Sequence, residues 1–277
     1  MNTDFASLIL SNPNLSAMGV LSIFVLIFIR IIPIMAMAPF LGAKLIPASI
    51  RVGFAIALTF VFAPALVLNA TTDVPFNTLF LAFAAKEFLI GFLLGFLATI
   101  PFYVAESAGT IIDYQRGSSS MMAQDITTQS QVSSLGILYN RMLLIIFFEF
   151  GGTFFFISAL LKSYQIVPVD GWIHTTFFNA DMPFWQVTLN ILNHIMSVGI
   201  QLAAPAMIAI LMAEAFLGIA NRLAPQVQIA FLGLSLKSFV GLLILMLGWF
   251  FILKQMGLTS LEWMRNMAEL FMNMAPQ

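Results

Sequence analysis

The chain has 277 residues, of which 61% are hydrophobic and 8% charged, against about 45–50% and about 25% in soluble domains. Its 11 basic and 12 acidic residues cannot clothe a soluble body of this length, so the apolar surplus must face lipid or packed helices. A net charge of −1 supplies no field to recruit nucleic acid, and the absence of cysteine excludes disulfides, thiolate metal sites, iron–sulfur clusters and cysteine nucleophiles.

The opening segment MNTDFASLILSNPNLS carries Asp4 and no basic residue. It reads as a polar lead-in, because a secretory signal needs a positive start and a small-residue cleavage site. Six long apolar stretches follow, at roughly 17–41, 47–69, 79–104, 135–161, 183–213 and 227–253. Each meets or exceeds the ~20 residues that a helix needs to cross a bilayer core. They lack a period of two, and only helices or closed barrels satisfy the backbone in lipid, so helix is the forced choice. The predicted fold is all-α. It is a polytopic membrane protein of about six long, kinked hydrophobic helices in a single integral membrane domain over 1–277. Pro33, Pro39, Pro64, Pro101 and Pro205 lie in or at the ends of these stretches and are expected to bend them.

Charges inside the stretches should face protein or water, since one at mid-membrane costs about 2.5–3.5 kcal/mol. Arg30 and Glu149 are expected in buried pairing between helices or subunits. Lys86 and Glu87 are sequence neighbours, about 100° apart on a helix, and are expected to find separate partners. Lys86 and Lys237 are also placed to snorkel from a helix end. Gly91 and Gly95 form a GxxxG that allows another helix to approach closely. Gly151-Gly152 sits among Phe147, Phe148, Phe150, Phe154, Phe155 and Phe156 and reads as a flexible or, in preference, a tightly packed point in an aromatic helix. The fifth stretch is longer than one span requires and is expected to form a tilted helix or a bent one broken at Pro205. With Lys44, Arg51, Arg116 and Arg222 on one side and Lys162, Lys254 and Arg265 on the other, charge bias does not decide orientation.

Residues 105–134 break the pattern with Ser, Thr, Gln and Gly, and are long for a helix–helix link of about 2–8 residues. Two readings are open: an exposed surface loop, or a re-entrant plugging loop, since irregular backbone is tolerated at membrane depth only inside protein or a wet cavity. Met121 and Met122 are adaptable side chains, and Ser133 or Ser134 is placed to cap the next helix. At the C-terminal end, 254–277 is expected to form a short amphipathic helix from about Ser260, with Leu261, Met264, Met267, Ala268 and Phe271 on one face.

Catalytic signals are missing. His174 and His194 form no HExxH pair, and there is no phosphate-binding GxxxxGK[ST] and no GxSxG. Glu149 and Glu214 have no histidine or second acid at a telling spacing. The expectation is a protein that is not an enzyme and holds no cofactor or metal. Broken helices with intramembrane charges would also suit a secondary transporter of a small solute. Such a protein predicts an internal repeat, and none is convincing between 1–135 and 136–277.

The chain resembles the FliR/SctT family, the export-gate membrane subunits of type III secretion. The resemblance rests on Glu87 with Gly91 and Gly95, Ala108-Gly109, Asp113, Gln115 and Gly117. It continues through Gly151-Gly152, Ser163, Pro168, Ala204-Pro205, Pro225-Gln226, Gly233 and Lys237. The run Asp113-Tyr114-Gln115-Arg116-Gly117 is similar to the D-x-Q-R-G form of the injectisome branch, whereas Ile126 stands where many relatives place proline. The resemblance implies a fold like FliP/SctR-type and FliQ/SctS-type helical hairpins fused. It also implies a channel built with those two subunits in the bacterial inner membrane, in contact with the large export-gate and switch subunits and carrying unfolded secreted proteins. In the family the loop matching Gln115–Gln129 closes that channel at rest. By that resemblance Gln115, Arg116, Gly117, Ser118, Met121, Met122 and Asp125 are the plug residues, with Arg116 and Asp125 as polar contacts and Met121 and Met122 as a soft seal.

Overall fold

The computed structural model describes residues 12–13, 15–42, 46–117, 123–124, 131–172, 183–223 and 229–272. Seven helices account for most of them: α1 (Ala17–Met37), α2 (Ala48–Asn69), α3 (Thr78–Gln115), α4 (Ser134–Glu149), α5 (Gly152–Ile166), α6 (Pro183–Leu223) and α7 (Ile229–Met272). A 3-10 turn, Pro39–Leu41, follows α1, and Ala123–Gln124 pairs antiparallel with Gln131–Val132, Ala123 opposite Val132. Five helices are long and apolar enough to cross a membrane, or six spans if α4 and α5 together make one broken span. The expected all-α, multi-pass architecture is therefore present, and Pro33, Pro64, Pro101 and Pro205 all lie inside helices.

Three boundaries differ from the sequence reading. First, α3 runs to Gln115, so 105–115 is helix and not loop. Its polar residues are satisfied without leaving the helix, because Ser107 Oγ donates to the Tyr103 carbonyl and Thr110 Oγ1 to the Glu106 carbonyl, both at 2.8 Å. Second, the fourth apolar stretch breaks between Glu149 and Gly152. Gly151 adopts φ 69 there, a left-handed conformation that a side chain disfavours, so the pair is a break as well as a packing point. Third, α7 continues unbroken to Met272, so the C-terminal segment extends the last span and makes no separate helix. Gly257 does not stop it, and Thr259 Oγ1 donates back to the Gln255 carbonyl at 2.9 Å.

The chain packs as two compact units. The first comprises 1–100, 153–188 and 265–277; the second comprises 101–152 and 189–264. In the first, Ile23, Leu26, Ile27, Ile31 and Ile34 recur at helical spacing and are buried along one face of α1. Ser16 caps that helix, its Oγ accepting from the Gly19 N–H at 2.9 Å. The GxxxG of α3 lies against α1: a Cβ on Gly91 would collide with the Arg30 carbonyl, and one on Gly95 would lie 3.2 Å from the Pro33 carbonyl oxygen.

In the second unit, the end of α3 packs on the start of α4 through facing glycines. A Cβ on Gly109 would strike the Leu135 backbone, and one on Gly136 would lie 2.8 Å from the Glu106 carbonyl oxygen. Phe102 and Phe147 then meet edge to face at 5.6 Å, and Tyr139 is fully buried against Trp249.

Candidate functional site

Two buried polar constellations stand out, one in each unit. In the first, Arg30 of α1 and Glu87 of α3 are both 0% exposed and form a two-pronged ion pair, with Arg30 Nη2 2.8 Å from Glu87 Oε1 and Nε on Oε2. The guanidinium also donates to Ser163 Oγ of α5 at 3.1 Å and to the Val167 carbonyl at 2.8 Å, and it stacks 4.0 Å from the Tyr164 ring centroid. Arg30 is thus buried in a pair between helices, and its partner is Glu87.

Lys86 and Glu87 do not go separate ways. Lys86 Nζ lies 2.8 Å from Glu87 Oε1 and also donates to the carbonyls of Pro168, Val169 and Gly171, at 2.7, 3.1 and 2.7 Å. The turn after α5 presents a row of carbonyls, and these draw Lys86 inward, so it does not snorkel. Asp170 in that turn accepts from the N–H groups of Thr71 and Thr72 at 2.8 and 3.0 Å, tying it to the end of α2. Neither the turn nor Ser163 was expected as a partner, since main-chain carbonyls leave no mark in a sequence.

The second constellation sits where α3 ends and α4 begins. Asp113 is 1% exposed, and its carboxylate takes bonds from Arg116, Ser133 and the Leu135 N–H. Arg116 Nε and Nη2 reach Oδ1 at 2.9 and 2.5 Å, while Ser133 Oγ and the Leu135 N–H reach Oδ2 at 2.5 and 2.9 Å. Ser133 caps α4 as expected, accepting from the Gly136 N–H at 2.8 Å. One carboxylate thus clamps both ends of the polar segment between the helices and places negative charge at the N-terminus of α4. In the sequence, Asp113 stands out only through the family resemblance. The signal for this role is its i, i+3 spacing to Arg116 together with a capping serine downstream.

The remaining predicted residues scatter. Gln115 ends α3 and is half-buried, Arg116 is held by Asp113, and Gly117 turns the chain at φ 79. Ser118, Met121, Met122 and Asp125 lie outside the described residues. Lys237 of α7 pairs with Glu214 of α6, whose side chain is 50% exposed. Pro205 is exposed on α6. Glu149 is exposed and has no ion pair among the described residues, so of the two expected pairings, between helices or between subunits, the first does not occur. No group of three or more His, Cys, Asp or Glu able to hold a metal ion occurs among the described residues.

Residues 21–261 match the sequence family described as "Bacterial export proteins, family 1". The Yop proteins translocation protein T of Yersinia pestis is 35% identical, over 72% of this chain and 74% of its own. The surface presentation of antigens protein SpaR of Shigella flexneri is 30% identical, over 79% and 82%. The flagellar biosynthetic protein FliR of Escherichia coli K12 is 31% identical, over 77% and 79%. With a match that spans nearly the whole membrane-helical region and relatives of this identity over most of their length, the chain belongs to the FliR/SctT family of bacterial export proteins.

Proposed function

We propose that this chain is a non-enzymatic, pore-forming subunit of a type III protein secretion export gate in the bacterial inner membrane. Unfolded substrates would pass through a lumen built jointly with FliP/SctR-type and FliQ/SctS-type subunits, and the segment Gln115–Gln129 would plug that lumen at rest. Relatives named for translocating Yop proteins, for presenting surface antigens and for flagellar biosynthesis support a role in protein export. The D-x-Q-R-G run from Asp113 to Gly117 supports an injectisome in preference to a flagellum.

The observation that carries the plug reading is the Asp113 clamp. A segment that fills a pore and yields to traffic needs fixed ends and a deformable middle. Asp113 supplies the first by binding Arg116, Ser133 and the Leu135 N–H. The polar, methionine-bearing run between them has the composition of the second. Removing 118–125 leaves the clamp intact, and membranes carrying the assembled gate should then leak ions. An ion-tight gate that still assembles overturns the plug assignment.

A further inference from the structure

The root of the polar segment touches a third element besides α3 and α4. A Cβ on Gly117 would come within 2.6 Å of Leu234 Cδ2 on α7. Arg116 Nη1 donates to Ser238 Oγ of α7 at 3.5 Å. A Cβ on Gly241 would lie 3.8 Å from Arg116 Cδ and 2.9 Å from Ile210 Cδ1 of α6. Leu234, Ser238 and Gly241 recur at i, i+4 and i+7, so they share one face of α7. Next to them Lys237 joins α7 to α6 through Glu214.

We infer that this stripe is the seat on which the segment's root rests, with Arg116 as its positioning residue, so that a shift of α7 is carried to the segment. The inference deepens the plug reading and rests on it. The two sides of the root are held unequally. Toward its own helix α3, the buried Asp113 carboxylate takes short, charge-assisted bonds from Arg116. On the α7 side there is one long hydrogen bond and a close steric fit, and a bond of 3.5 Å is near the limit of useful strength. The seat on α7 is therefore the side that releases. Packed helices move in discrete steps of up to about one turn, 5.4 Å, which would carry Ser238 and Gly241 out of reach of Arg116.

The chain has no cysteine, so Ser119→Cys gives a single reporter in the full chain within membranes that hold the assembled gate. Gly241→Leu should raise its labelling rate by about tenfold, as an overpacked contact unseats the root. Ser238→Val should raise it by a smaller factor. Gly248→Leu, the same change on α7 where a Cβ meets nothing within 4 Å, should leave the rate unchanged. Equal rates in all three variants, or an equal rise in all three, overturn the seat. Should Gly241→Leu fail to assemble, Gly241→Ala and Ser238→Val decide on the same readout. Leakage on removal of 118–125 with unaltered labelling in the seat variants defeats this inference alone. An ion-tight deletion defeats the plug reading and leaves the labelling result standing.

Discussion

Arg30, Lys86 and Glu87 together carry two positive charges and one negative, all buried in the first unit. Breaking a buried pair by removing one partner costs about 3–5 kcal/mol, because an uncompensated charge remains. The arithmetic makes the three positions unequal. Glu87→Gln leaves two cations facing each other, whereas Arg30→Met leaves the neutral pair of Lys86 with Glu87. Glu87→Gln should therefore lower the thermal midpoint of the detergent-solubilised chain more than Arg30→Met does. The reverse order would show that the carbonyls of residues 167–171 hold the cations unaided. Tyr139 is a contrasting case. Its hydroxyl is buried with no hydrogen-bond partner among the described residues, and such a group forfeits about 1–3 kcal/mol of solvation. Tyr139→Phe should raise the midpoint, and a fall would reveal a partner that the hydroxyl acquires.

At the scale of elements, close approach and open space separate the glycines. Gly91 of α3 has the Arg30 carbonyl where a Cβ would go, while Gly53 of α2 and Gly218 of α6 have nothing within 4 Å. Gly91→Ala should destabilise the chain by about 1–3 kcal/mol through overpacking of α3 on α1. Gly53→Ala and Gly218→Ala should stabilise it by up to about 1 kcal/mol, because alanine is the better helix former. Denaturant titration of the three variants in one detergent checks the sign of each. The GxxxG spacing was legible in the sequence because it is a local pattern. The pairing of Gly109 with Gly136 was not, since two single glycines become a close contact only when a turn brings α3 and α4 together.

For the whole molecule, the deciding quantity is how unevenly the apolar helices are covered. The apolar window of α3 is 61% buried within the chain, against 22% for α6 and 17% for α7. Phe216 on α6 and Met246, Phe250 and Phe251 on α7 stand exposed, and Glu214 of α6 is half-exposed. An ion pair that leaves Glu214 half-exposed is costly against lipid even with Lys237 beside it, which favours protein neighbours over lipid on that side. A hydrophobic photolabel should therefore modify α6 and α7 in the isolated chain and lose access to them once the export subunits assemble. Undiminished labelling would assign the surface to lipid. Copies captured in mild detergent with several copies of two smaller hydrophobic subunits, weighed by native mass spectrometry, would account for the protection.

Composition and apolar run length were enough to establish the membrane-helical class and, to within one, the number of long apolar helices, because burying a helix in lipid depends on length and polarity and not on neighbours. Dispersed residues in a fixed order were enough for the family. Where the polar segment begins lay beyond them, because Ser107 and Thr110 look like loop residues until their hydroxyls are seen returning to carbonyls a turn back. Partners lay beyond them as well. Arg30 meets Glu87, Lys86 meets three carbonyls, and Asp113 clamps a helix start twenty residues on, each through contacts made across helices. Such contacts are properties of how helices pack, and only the tertiary structure decides them.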